Sequence, residues 1–224
     1  MRKPSKGEAT RSQILQAGLQ AASEGGFDAL TIGSLAERTG LSKSGLFAHF
    51  GSKDELQIAV LDEAARRFTE IAFMQAMRAP RGLPRLRALF ENWISWSDQS
   101  KLLGGCPIMA AAFEFDDRPG PVRDAVADHH GRLRREMERC VELAVEAGHF
   151  RPDTDSAQFA FEMLGLATAY YVARRLLKDR NALRHANGCF ERMVAHWSIP
   201  AASVTSLQPA ARKIAPRKPA RKAA

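Results

Sequence analysis

The chain reads as all-α: a three-helix helix-turn-helix unit at the N-terminus and a larger helical region behind it. Three observations lead there. Apolar residues recur at helical rather than alternating spacing along almost the whole chain. Glycine and proline punctuate that pattern at intervals suited to helices. Residues 31–53, TIGSLAERTGLSKSGLFAHFGSK, describe two short helices at a tight corner followed by a capped third. No internal repeat is present.

The elements follow in order. An amphipathic helix runs from about Glu8 to Glu24, with Ile14, Leu15, Ala17, Gly18, Ala21 and Ala22 on one face, and GGFDALT connects it to Thr31. Thr31 caps the second helix, which turns Ile32, Leu35 and Ala36 inward. Gly40 stops it, because glycine takes the left-handed conformation of a helix end without a Cβ penalty. Ser42 caps a third helix to about His49. A long helix is expected from Lys53 to about Ala79, broken by Pro80 and Pro84, then one from Leu83 to Leu103, ended by Gly104 and Gly105. Pro107 suits the first turn of a helix running to Phe115. Residues 116–121, DDRPGP, are a loop, and helices follow over Val122 to Ala147, Asp153 to Lys178 and Asn181 to Trp197. The division is a basic arm at 1–7, a helix-turn-helix domain at 8–55, a helical domain at 56–199 and a basic tail at 200–224.

Composition narrows the function classes. No apolar run is long enough for a membrane span, and no apolar stretch follows the N-terminal charges as in a secretory signal, so a cytoplasmic protein is expected. Cys106, Cys140 and Cys189 lack CxxC spacing, which argues for reduced thiols rather than a disulfide framework or zinc site. His129, His130, Glu114, Asp116 and Asp117 match no spaced ligand set and read as a solvated loop beside a polar helix. There is no nucleophile motif or phosphate loop, so neither an enzyme nor a metal or cofactor is expected. The formal charge of +8 owes six units to residues 201–224, which leaves +2 for the rest. That proline-, alanine- and lysine-rich tail reads as disordered; nonspecific DNA contact and a solvated end are both open for it.

The third helix carries the functional signal. Leu41, Leu46 and Phe50 face inward, and Lys43, Ser44, Gly45, Phe47 and His49 face out. A small, basic outward face suits the major groove, where a helix N-terminus approaches base edges and phosphates. An ordinary αα-corner is the alternative on this segment alone.

The first helix, the GGFDALT connection, the corner and FGSKDEL at residues 50–56, in this order and spacing, resemble the DNA-binding domain of the TetR family of transcriptional regulators. The resemblance implies a homodimeric, ligand-responsive regulator, a repressor by preference, whose helical domain both dimerises and binds a small effector. It implies DNA contacts from Thr31, Ser42, Lys43, Ser44, Gly45, Leu46, Phe47, His49 and Lys53, with the arm residues Arg2, Lys3, Lys6 and Arg11 along the minor groove. One residue departs from the pattern: the family has Tyr where this chain has Phe47, which keeps packing or a thymine-methyl contact but donates no hydrogen bond to phosphate. A two-fold dimer sets its reader helices about 34–36 Å apart, so the target is a palindromic operator on double-stranded DNA.

For the helical domain the resemblance implies a cavity, and the aromatic and methionine inventory supplies candidate lining residues: Phe90, Trp93, Trp96, Met109, Phe113, Met137 and Tyr170. With few charges among them, an apolar or aromatic effector is expected. The final two helices are the implied dimer interface, with Phe159, Met163, Leu166, Phe190, Met193 and Trp197 as candidates. Cys106, at the start of a helix, is a candidate redox sensor if the helix dipole favours its thiolate, and an inert buried cysteine otherwise. A nonspecific DNA-binding protein working through basic termini is the alternative function.

Overall fold

The computed structural model describes residues 5–199. Among them nine α-helices form: α1 (Lys6–Gly25), α2 (Ile32–Thr39), α3 (Lys43–Phe50), α4 (Lys53–Phe68), α5 (Leu83–Gln99), α6 (Pro107–Phe115), α7 (Pro121–Glu146), α8 (Ser156–Arg175) and α9 (Ala182–Trp197). The described residues hold no strand; an isolated antiparallel bridge joins Phe150 to Ser198 and pins the end of α9. No helix among them is long and apolar enough to cross a membrane. Arg2, Lys3 and the tail from residue 200 lie outside the described residues.

Several boundaries differ from expectation for local reasons. Helix α1 begins at Lys6, so residues 6 and 7 belong to it and not to an arm. The cause is a reciprocal cap: Glu8 N donates to Ser5 Oγ at 3.3 Å and Ser5 N donates to the Glu8 carboxylate at 2.7 Å. Beyond Phe68, α4 widens into a π-helical turn, Thr69–Met74, and the Asn92 amide of α5 donates to the Ala72 carbonyl there at 3.3 Å. Helix α5 stops at Gln99 rather than Leu103, because Lys101 takes a left-handed φ of 55° and Leu102 N turns back to Ser97 O at 2.8 Å. Asp155 caps α8, accepting from Gln158 N at 2.9 Å, and that helix ends at Arg175, short of Lys178 with its φ of 53°.

Helices α1–α3 close over Ile14, Leu19, Phe27, Leu35 and Leu46, all fully buried. Helix α4 packs on α1 and α3 and also on α6 and α7, so one helix belongs to both cores. Gly18 permits the α1–α4 approach, since a Cβ there would lie 2.6 Å from Val60 Cγ2. In the larger core Phe90 stacks on Phe190 at 4.1 Å, and Phe68 meets the edges or faces of Phe73, Trp93 and Trp96 at 5.5–5.9 Å.

The two helical units meet through a dense set of backbone contacts. A Cβ on Gly104 would fall 1.4 Å from the Ser23 carbonyl oxygen, so the α5–α6 loop lies flush on the end of α1. Ser23 Oγ donates to Gly105 O at 3.0 Å, and Gln20 Nε2 to Lys101 O at 3.2 Å. Glu114 is part of this joint and not of a solvated loop: its two oxygens accept from Phe27 N at 2.8 Å and Asp28 N at 2.6 Å. Buried Gln57 takes up the Phe27 carbonyl at 2.7 Å. Asp28 pairs with Arg118 at 2.6 Å and Lys53 at 3.6 Å, and the Arg118 hydrogen bond holds its carboxyl below the ordinary carboxylate range.

The dimer candidates need correction at residue level. Phe159, Met163, Leu166, Phe190 and Trp197 are buried within the single chain and Met193 is half-buried, because α8 and α9 pack against each other and α8 packs against α7. The outward apolar residues on these helices are others, chiefly Phe161 at 70% exposure and Leu183 at 51%.

Cys106 caps α6, its Sγ accepting from Met109 N at 3.4 Å. Burial outweighs this and the other hydrogen bonds and pushes the thiol up to about 11, so it stays protonated at neutral pH, against a sensor role. Peptide-level mass spectrometry after iodoacetamide treatment of the native protein at pH 7.5 should therefore find Cys106 alkylated at least about tenfold more slowly than in the unfolded chain. Gly104→Ala should be destabilising by about 1–3 kcal/mol, the usual range for forced overpacking, because its new methyl meets backbone that cannot rotate away. The loss should register in thermal melts as a Tm lowered by about 2–10 °C for a chain of this size.

Candidate nucleic-acid interface and ligand cavity

The corner that presents α3 is held by side chains closing their own backbone. Ser34 N donates to Thr31 Oγ1 at 3.0 Å while Thr31 N donates to Ser34 Oγ at 3.2 Å, a reciprocal cap that uses serine where glutamate is usual. Gly40 has a φ of 69° and ends α2. Gly45 N donates to Ser42 Oγ at 3.1 Å, and a Cβ on Gly45 would crowd that oxygen at 3.2 Å. The capped N-terminus of α3 then offers Ser42, Lys43 and Ser44 to solvent, the two serine hydroxyls 3.2 Å apart.

Lys43 and Thr31 converge at Gly33. The position a Gly33 Cβ would take lies 3.7 Å from Lys43 Cε and 3.8 Å from Thr31 Oγ1, so the lysine stem lies along the start of α2. Phe47 is 52% exposed, an apolar side chain held out on the same short helix. His49 is half-buried, its ring 6.3 Å from that of Phe50. Leu46 is fully buried and contacts the core rather than solvent, which removes it from the contact set. Lys53 is exposed but already paired with Asp28. Arg11 of α1 lies over the Phe50 ring at 5.3 Å. Helix α3 contains no acid, so nothing on it opposes the attraction of its N-terminus for an anion.

A cavity of about 460 Å³ opens between α5, the α5–α6 loop, α6 and α8. Of the sequence candidates it collects Trp93, Trp96, Met109 and Tyr170. Phe90 lines an adjoining cavity of about 480 Å³ against Phe190 and Leu183, and the two share Ile94, Asp98 and Tyr170. Phe113 and Met137 line neither. Phe113 is 53% exposed on the outer side of α6, and Met137 is a filled-core residue at 1% exposure. A third cavity, about 460 Å³, lies between the π-helical turn and α7, with Phe68, Met74, Met77 and Leu133 in its walls.

Sequence reasoning missed the polar half of the first cavity. Arg174 donates to Asp98 at 2.7 Å and to the Tyr170 hydroxyl at 3.0 Å, while Arg175 donates to Leu103 O at 2.8 Å. Tyr171 stands beside them, its phenol pushed up by burial. The signal was in YYVARR at residues 170–175, where each tyrosine precedes an arginine by one helical turn. The joint around Gly104 was equally legible in principle. Two glycines are more than a helix stop needs: Gly104 serves close backbone approach to Ser23 and Gly105 takes a φ of 92°.

Comparison with known proteins agrees with this arrangement. The model for bacterial regulatory proteins of the tetR family matches residues 14–60, and that for the tetracyclin repressor-like C-terminal domain matches residues 82–190. The HTH-type transcriptional repressor AcnR of Corynebacterium jeikeium is 29% identical over 118 residues, 50% of this chain and 62% of that protein. AcnR of Corynebacterium glutamicum is 36% identical over 62 residues, 28% of this chain and 33% of that protein, so less than two thirds of either relative's length is matched. Among solved structures, a TetR-family regulator from Cytophaga hutchinsonii superposes with a TM-score of 0.78 at 20% identity, over 88% of this chain and 99% of the other. A TetR regulator from Chloroflexus aurantiacus gives 0.76 at 25% identity, over 85% and 95%. With one family model on the helix-turn-helix unit and another on the helical region behind it, the chain belongs to the TetR family of transcriptional regulators.

Proposed function

We propose that the protein is a transcriptional repressor that binds a palindromic operator as a homodimer and is released by a small, largely apolar effector held between α5, α6 and α8. The observation that carries this is the N-terminus of α3: capped, acid-free, built of Ser42, Lys43, Ser44 and Gly45, and exposed beside Thr31. In this reading Lys43 contacts a base edge or phosphate, and Ser42, Ser44, His49 and Thr31 contact phosphate. Gly45 keeps the helix end slim, and Phe47 lies against a thymine methyl.

Release follows from where the cavity sits. Leu102, Leu103 and Gly105 of the α5–α6 loop line it, and the same loop docks on α1 through Gly104, Gly105 and Lys101. An effector that binds better to one arrangement of this loop shifts the reader domain toward the matching dimer geometry, in proportion to its differential affinity. Dimerisation is assigned to the outer faces of α8 and α9. Phe161, Gly165 and Ala169 on α8 follow at four-residue spacing and are exposed, and a Cβ on Gly165 meets nothing within 4 Å in the single chain.

Selection of bound duplexes from a random pool at raised salt tests the central reading, and an enriched inverted repeat is the expected result. A pool that stays unenriched, with similar affinity for unrelated duplexes, would instead favour nonspecific binding through basic termini. On the recovered operator, joint replacement of Lys43 and His49 by Ala should weaken binding at least about tenfold and lower the salt slope by about 1, with Tm unchanged. Persistence of full affinity would place the reading face elsewhere. Gly165→Arg should leave the chain folded but convert the dimer to monomer in sedimentation velocity, a result that a dimer formed through another face would not give.

A further inference from the structure

The first cavity has two chemically distinct halves. Its floor is aromatic, with Trp93 and Trp96 almost wholly buried beside Met109. Its rim carries one carboxylate, Asp98, and three cationic side chains, Lys101, Arg174 and Arg175. Arg174 neutralises Asp98 at 2.7 Å. Among the described residues, neither Lys101 nor Arg175 forms an ion pair, and the remaining N–H groups of Arg175 are uncommitted once one has bonded Leu103 O. Tyr171 and Arg175 converge at Gly105, where the position of a Cβ is 3.3 Å from the tyrosine ring edge and 3.0 Å from Arg175 Cδ. Burial keeps the Tyr171 phenol protonated at neutral pH, so it is a donor too.

The geometry points to an organic acid as the effector: an aromatic or branched apolar body between Trp93, Trp96 and Met109, and a carboxylate at the rim received by Arg175, Lys101 and the Tyr171 hydroxyl. This rests on the reading of the cavity as the effector site. A planar carboxylate matches the guanidinium fork and exchanges water for charge-assisted hydrogen bonds at a half-buried site. An amine would meet two unneutralised cations with the only acid of the rim already engaged. The head group also lies where it can act, because Arg175 holds the Leu103 carbonyl and the next residue, Gly104, rests on the Ser23 carbonyl of α1. A ligand that draws Arg175 toward itself pulls on the loop that docks the reader domain.

Calorimetric titration of the full-length protein with matched pairs decides it: 1-naphthaleneacetate against 1-naphthaleneacetamide, 4-phenylbutyrate against its amide, and 4-methylpentanoate against its amide. The acid of at least one pair should bind about tenfold or more tightly than its amide, the size of one charge-assisted contact. Arg175→Gln and Lys101→Gln should each shrink that ratio while leaving the amide within about twofold, and Arg175→Lys should keep part of it. Acid and amide binding alike in every pair overturns the acidic head group and leaves the effector cavity standing. An Arg175→Gln protein that loses the amide as well as the acid overturns the assignment too, since the residue is then structural. No binding by any probe up to millimolar concentration overturns the cavity reading itself.

Discussion

The contact on which this architecture depends is the seating of the Gly104 backbone on the carbonyl oxygen of Ser23. No side chain fits between them. Because the interior is close-packed, a loop held at backbone contact distance transmits displacement instead of absorbing it. Around this seat the polar groups are closed with few exceptions: Ser23 to Gly105, Gln20 to Lys101, Glu114 to the amides of Phe27 and Asp28, Gln57 to the carbonyl of Phe27. Each buried partner would cost about 1–3 kcal/mol if left unpaired, so the joint favours a small number of discrete arrangements.

Helix α4 forms the second connection between the units. Its Gln57 and Val60 meet Phe27 and Gly18 in the smaller unit, and Phe68 at its end meets the tryptophans of the larger one. Phe68, where the helix widens into the π turn, packs against Trp93 and Trp96, and those two tryptophans are the cavity floor. A ligand that repacks the tryptophans therefore meets α4 directly, while one that engages the rim meets the α5–α6 loop. Both routes end at α1, which α4 touches through Gly18 and the loop touches through Ser23.

The reader helix rests directly on α2 and α4. Its shape comes from Leu46 and Phe50 beneath it and from caps made by Thr31 and Ser42 at its approach. Small residues at its N-terminus leave the backbone close to whatever docks there. Phe47 is 52% exposed on this helix, and the Lys43 stem lies along the start of α2 at Gly33.

The sequence by itself determined the helix content, the order of the elements and the corner, because these rest on short-range rules. Thr31, Gly40 and Ser42 act on backbone within a few residues, and apolar spacing needs only the helix period. Its aromatic and methionine inventory offered seven candidate lining residues without separating Trp93, Trp96, Met109 and Tyr170 from Phe90, Phe113 and Met137. Tertiary structure decided which apolar residues fill a core and which line space. Nothing local separates Met137 from Met109, or Phe113 on the surface from Phe115 in the core. The same holds for α8 and α9: Phe159 and Met163 are buried on α8, which packs on α7 and α9, and Phe190 stacks on Phe90 of α5, leaving Phe161 outside. It also decided that Glu114 is a joint and that the Cys106 thiol is pushed up by burial. The partners of Glu114, Phe27 and Asp28, lie more than 80 residues away, a distance over which spacing carries no information, and the shift at Cys106 comes from burial.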